Sequence, residues 1–104
     1  MGNYRGRLDI IADILHVVSG NAKKTQIMYQ ANLSYKVLQK YLAEIVVASL
    51  VSFEDVERCY ILTGKGREFL EAYQEYSKTN RHVEKRLNDV RTKQNALQRL
   101  CPNA

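Results

Sequence analysis

The stretch from Ala22 to Ala43 holds four lysines, Lys23, Lys24, Lys36 and Lys40, and no Asp or Glu, while acids are spread through the rest of the chain. Between the lysines stand Thr25, Gln26, Tyr29, Asn32, Ser34, Tyr35 and Gln39, all neutral hydrogen-bonding side chains. Ammonium groups supply a salt-dependent attraction to phosphates, and amides and hydroxyls supply what reading of base edges there is. This is chemistry for holding a polyanion, and a formal net charge of +5 over 104 residues agrees with it. Chemistry for making or breaking bonds is not evident. Cys59 has no histidine near it in sequence and reads as a small strand residue, and neither a phosphate loop nor a carboxylate pair can be named. Cys59, Cys101, His16 and His82 give neither a disulfide framework nor zinc spacing, so no cofactor, no metal and no enzymatic activity are expected.

Other partners are narrowed by hydropathy. No apolar run approaches the roughly 20 residues of a membrane span. Leu8 to Val18 is interrupted by Asp9, Asp13 and His16, which excludes a signal-peptide core. The expected location is cytoplasmic, nucleoid-associated if the polyanion is DNA, with no membrane partner.

The elements that must position these residues follow from periodicity. Met1 to Gly6 is short and polar and reads as frayed. From Arg7, Leu8, Ile11, Leu15 and Val18 recur at helical spacing with Ile10, Ile14 and Val17 beside them, and Asp9, Ala12, Asp13 and His16 fall opposite. Ser19-Gly20-Asn21 is a stop, with Gly20 suited to a left-handed cap. Lys23 to Gln30 is a short helix and Ala31-Asn32-Leu33 a tight turn. Ser34 is an N-cap for a third helix whose inner face is Leu38, Tyr41, Leu42 and Ile45. Leu50–Phe53 and Cys59–Leu62 are β-branched and aromatic and form a hairpin around the polar tip Glu54 to Arg58. Thr63 caps a last helix that opens with Gly64 and Gly66.

That last helix carries Phe69, Tyr73, Tyr76, Asn80, Val83, Leu87, Val90, Gln94, Leu97 and Cys101 in alternating steps of 4 and 3, a heptad seam. From Gly66 to Leu100 it would run on the order of 50 Å at 1.5 Å per residue, more than a small head can cover, so the seam predicts a dimerisation surface. The first turns, around Phe69 and Tyr73, also suit packing on the head itself. A parallel pair would stack Asn80 on Asn80, Gln94 on Gln94 and Cys101 on Cys101. An antiparallel pair closes symmetrically, setting Tyr73 against Leu97, Tyr76 against Gln94, Asn80 against Val90 and Val83 against Leu87.

Helix, helix, helix, hairpin, helix is the plan of a winged helix-turn-helix with a C-terminal extension. The fold class is therefore mainly α with a small β-hairpin, a head at 1–66 and a long coiled-coil helix at 67–104. Ile27, Ala31, Leu33, Leu38 and Leu42 fall where a helix-turn-helix places its core. Tyr60-Ile61-Leu62-Thr63-Gly64-Lys65-Gly66 resembles the close of many archaeal winged helices. With Lys23 to Tyr35 and the heptad helix, the chain from Leu8 onward resembles the small archaeal winged-helix DNA-binding proteins of the Sulfolobus chromatin type. That resemblance implies a homodimer joined by an antiparallel coiled coil with one winged head at each end. Two positions depart from it: Ser49 stands where glycine is usual, and the tip Phe53 to Arg58 has three acids and no glycine.

In such a fold the second helix of the pair enters the major groove with its N-terminal residues against the bases. The expected DNA-binding residues are Lys23, Lys24, Thr25, Gln26, Ser34, Tyr35, Lys36, Gln39, Lys40 and Arg58. Gln39 can pair with adenine, and the lack of an arginine for guanine implies modest specificity. Tyr29 and Tyr35, at helical spacing, also suit a half-core role. The wing is expected to contribute little, since Glu54, Asp55 and Glu57 repel phosphate. The expected function is non-enzymatic double-stranded DNA binding as a homodimer, in chromatin architecture or transcription regulation. The alternative is a winged-helix protein-interaction module assembled through its coiled coil.

Overall fold

A computed structural model describes residues 5–103. Its elements are α1 (Arg7–Val18), α2 (Lys24–Gln30), α3 (Tyr35–Val47), β1 (Val51–Glu54), β2 (Cys59–Leu62) and α4 (Gly64–Leu100). The chain divides into two compact units, Met1–Tyr73 and Gln74–Ala104. The order is that of a winged helix with a long C-terminal helix.

The first unit closes on one apolar core. Ile14, Leu15, Val18, Ile27, Leu38 and Ile45 are essentially inaccessible, and Leu42, Leu50 and Val51 are buried beside them. Each such side chain stabilises the fold by about 1.5–3 kcal/mol relative to exposure. Ala12, expected on the outer side of α1, is fully buried instead. A single methyl gives too little hydropathy contrast to mark a face, but it lets neighbouring elements approach closely. Leu8, expected on the apolar face, is exposed at the first turn.

The helix ends show why the chain turns where it does. The Gly6 N–H donates to the Asp9 carboxylate at 3.0 Å, placing an acid at the positive end of α1. The same carboxylate accepts the Tyr73 hydroxyl. The Tyr73 phenol, the Gly6 N–H and nearby Arg5 together hold Asp9 below the usual carboxylate range, against a smaller opposing effect of burial. At the end of α1 the left-handed residue is Asn21 (φ 57°), not Gly20. Asparagine is one of the few L-residues that take this conformation readily. Next to it Ala22 pairs with Tyr60 of the hairpin through two backbone hydrogen bonds of 3.1 and 2.8 Å.

Both later helices of the head end in Schellman motifs. After α2, Asn32 (φ 54°) is left-handed, and Asn32 and Leu33 donate to the carbonyls of Tyr29 and Met28. After α3, Ser49 (φ 64°) takes that place, and Ser49 and Leu50 donate to Val46 and Ile45. This left-handed backbone is why glycine suits position 49. The hairpin is antiparallel, with Val51 opposite Leu62, Phe53 opposite Tyr60 and Glu54 opposite Cys59. Phe53 and Tyr60 meet edge to face, their centroids 5.0 Å apart.

The Thr-Gly-Lys-Gly run then seats α4. The Thr63 hydroxyl lies 2.6 and 2.9 Å from the carbonyl oxygens of Ser49 and Leu50, sharing its proton between them, and accepts from the Gly66 N–H at 3.0 Å. Lys65 Nζ donates to the Ala48 carbonyl at 2.8 Å. Gly66 is buried, and a Cβ there would lie 2.1 Å from the Leu50 oxygen. Phe69 and Leu70 pack against the core of the head.

The second unit is the remainder of α4 and the residues that follow. Val83, Leu87, Val90 and Leu97 are between 50% and 66% exposed, far more than a core position would be. Among the described residues, no helix is long and apolar enough to cross a membrane.

Candidate nucleic-acid interface

The acid-free stretch maps onto α2, its turn and α3 as far as Ala43. The turn is held from outside. Arg5 donates to the carbonyls of Ala31 and Asn32 at 2.6 and 2.8 Å and pairs with Asp13 at 2.8 Å. Arg5 belongs to the stretch that reads as frayed in sequence, and no local pattern marks this role, because its partners lie 26 and 27 residues away. Arg7 ties α1 to α3 through both oxygens of Glu44, at 2.8 and 2.9 Å.

On α3 the Ser34 hydroxyl accepts from the Val37 N–H at 3.2 Å, as its N-cap role requires. With Leu38, Leu42 and Ile45 turned inward, Tyr35, Lys36, Gln39 and Lys40 are turned out and exposed. Tyr29 and Tyr35 are 77% and 58% exposed, which rules out the half-core role for both.

Lys24 connects the parts. Its Nζ sits 4.7 Å from the centroid of the Tyr35 ring, a cation–π contact between the start of α2 and the start of α3. It lines one hollow with Lys23, Thr25, Phe53, Arg58 and Tyr60, and a second with Gln39, Leu42, Ala43, Val46 and Tyr60. Arg58 of the wing therefore shares a hollow with Lys23, Lys24 and Thr25 around the Phe53–Tyr60 pair. Gln26, Ser34 and Lys36 are exposed outside both hollows, and Lys40 lies 5.7 Å from the ring of Tyr41.

The wing tip is more ordered than a solvated run of acids. The Glu54 carboxylate accepts from the Val56 and Glu57 N–H groups at 3.0 and 2.7 Å, so it closes its own turn. Arg58 takes the left-handed conformation (φ 53°) that a glycine would fill in a tighter hairpin. Asp55 and Glu57 are exposed. Among the described residues, no three His, Cys, Asp or Glu gather as a metal site would require.

Of the heptad residues, Phe69 and Tyr73 are engaged within the head, by core packing and by Asp9. Tyr76, Asn80, Val83, Leu87, Val90, Gln94 and Leu97 follow them along α4, all exposed.

A family model described as winged helix-turn-helix matches residues 4–81. No curated protein matches the sequence. Among solved structures, the chain is similar to the crystal structure of Sso10a-2, a DNA-binding protein from Sulfolobus solfataricus. Their TM-score is 0.78 at 26% identity, over 85% of this chain and 95% of that one.

Proposed function

The chain belongs to the winged helix-turn-helix family, and on that premise we propose that it binds double-stranded DNA, without enzymatic activity, as a homodimer. The observation that carries this reading is the exposed, acid-free face of α2 and α3, drawn to the wing through Lys24. The N-terminal turn of α3 enters the major groove, presenting Ser34, Tyr35, Lys36, Gln39 and Lys40. Lys23, Lys24, Thr25, Gln26 and Arg58 contact the flanking phosphates. Similarity to Sso10a-2, a DNA-binding protein, supports the same reading.

Dimerisation rests on the exposed seam from Tyr76 to Leu97. Isolated helices gain most of their stability from packing an apolar face, and this face has a self-complementary order. The antiparallel register places Val83 against Leu87 at its centre and Asn80 against Val90 on either side. No arginine stands among the groove-facing residues, which favours a nucleoid-associated, architectural role over recognition of a defined operator.

The test is a gel shift on random-sequence duplex DNA across a salt series, with sedimentation on the same samples. Binding whose logarithm falls linearly with the logarithm of salt, weakened in Lys36→Gln/Lys40→Gln, is expected. No binding at low salt would overturn the architectural role and leave either a narrowly specific regulator or a protein-interaction module. A Cys101–Cys101 crosslink formed at low concentration would overturn the antiparallel arrangement.

A further inference from the structure

The charge of this chain is unevenly placed. Residues 1–73 carry nine Lys and Arg against eight Asp and Glu, while residues 74–104 carry seven against three. Four of the five net positive charges therefore belong to the second unit, not to the head.

Within that unit the cations are ordered. On the face of α4 opposite the seam, the positions are Gln74, Lys78, Arg81, Lys85, Asn88, Thr92, Asn95 and Arg99, in unbroken steps of 4 and 3. All eight are exposed, none is acidic and none is apolar. The three acids, Glu75, Glu84 and Asp89, fall on the flanks between this row and the seam. Neither ion pair found among the described residues touches the row.

From Lys78 to Arg99 is 21 residues, about 32 Å at 1.5 Å per residue. That is close to one turn of duplex DNA, about 34 Å. A face of ammonium, guanidinium, amide and hydroxyl groups in a line of that length matches a phosphate backbone in sign and in donor chemistry. We propose that this outer row of α4 is a second DNA-binding surface, which engages phosphates independently of the winged head. An anionic membrane fits less well. A helix that sinks an apolar stripe into lipid would sink the seam, which contains Asn80 and Gln94, and would turn this row toward water.

The inference rests on the DNA-binding reading of the head, and the experiment separates the two. The full chain and its variant Lys78→Gln/Arg81→Gln/Lys85→Gln/Arg99→Gln are compared on random-sequence duplex DNA across a salt series. Circular dichroism and sedimentation establish that helix and assembly are kept. Each lost phosphate contact lowers the log–log salt slope by about 0.9, so a drop of about 2–4 per chain is expected. A photo-crosslinking residue at Asn88 should capture DNA, which long-range attraction alone would not achieve. An unchanged slope with no crosslink at Asn88, while the wild type still binds, overturns this inference and leaves the head reading standing. Failure of the wild type to bind overturns both. Capture by phosphatidylserine vesicles that the variant loses, with DNA binding unchanged, assigns the row to a membrane and overturns it as well.

Discussion

Gly64 and Gly66 stand two residues apart in the first turn of α4, and replacing each with alanine should change stability in opposite directions. A Cβ on Gly66 would lie 2.1 Å from the Leu50 oxygen and 2.6 Å from Leu62 Cδ1, whereas ordinary contact begins at 3.4 Å. The leucine methyl can rotate away. The carbonyl cannot, because it accepts from the Thr63 N–H at 3.2 Å and lies 2.9 Å from the Thr63 hydroxyl. The start of α4 must therefore shift by about 1 Å, with overpacking costing about 1–3 kcal/mol. The loosened bonds at Thr63 cost about 0.5–1.5 kcal/mol each. Against this, alanine gains at most about 1 kcal/mol over glycine in a helix. The net loss is about 2–3 kcal/mol, a fall in Tm of about 10–20 °C for a domain of this size. A Cβ on Gly64 meets nothing within 4 Å, so Gly64→Ala should raise stability by about 0.5 kcal/mol. Thermal and urea unfolding of the two variants make the comparison. Equal effects, or a stable Gly66→Ala, would refute the close approach of α4 to the hairpin.

Ser49→Gly should stabilise the head by about 0.5–1 kcal/mol in urea unfolding, because the cost of a left-handed serine exceeds the extra chain entropy of glycine. Tyr73→Phe should cost about 1 kcal/mol at neutral pH. The depressed Asp9 contributes stability that is present above the ordinary aspartate value and is lost as pH falls through its lower folded value. Urea midpoints between pH 5 and 2 should therefore fall less steeply in the variant than in the wild type. Leu87→Glu removes an apolar side chain from each half of the proposed seam, about 1.5–3 kcal/mol apiece. Sedimentation equilibrium should then show association at least a hundredfold weaker, with the head still folded by circular dichroism.

The features legible in the sequence are those set by neighbours. Ser34 and Thr63 announce helix starts because a capping oxygen reaches an N–H three residues on, and both make that bond. The inward face of α3 follows from a 3.6-residue period. What stayed hidden depends on distant or subtle partners. Arg5 looks like part of a loose end until its two carbonyls come near it in space, and Ala22 gives no sign that it will pair with Tyr60. Ala12 misleads because one methyl is a weak hydropathy signal. Gly20 and Asn21 both accept the left-handed conformation, so sequence alone does not choose between them. At the candidate site, the exposed lysines follow from the pattern, but the link through Lys24 required two helix starts and a strand to converge. The outer row of α4 is hidden in the sequence because the apolar seam dominates the pattern of that helix, and a charge total for the whole chain conceals where the charge lies.

The clamp on the α2–α3 turn has a practical side. That turn is held by Arg5, which lies ahead of every helix and is part of none of them. Proteolytic trimming just past this arginine would leave all four helices and the hairpin intact, so far-ultraviolet spectra would register little. The carbonyls of Ala31 and Asn32 would nevertheless lose their donor, and the angle between the two helices of the motif would soften. A truncated preparation could thus look fully folded and still bind poorly, which makes the integrity of the N-terminus the first thing to verify by mass spectrometry when binding varies between batches.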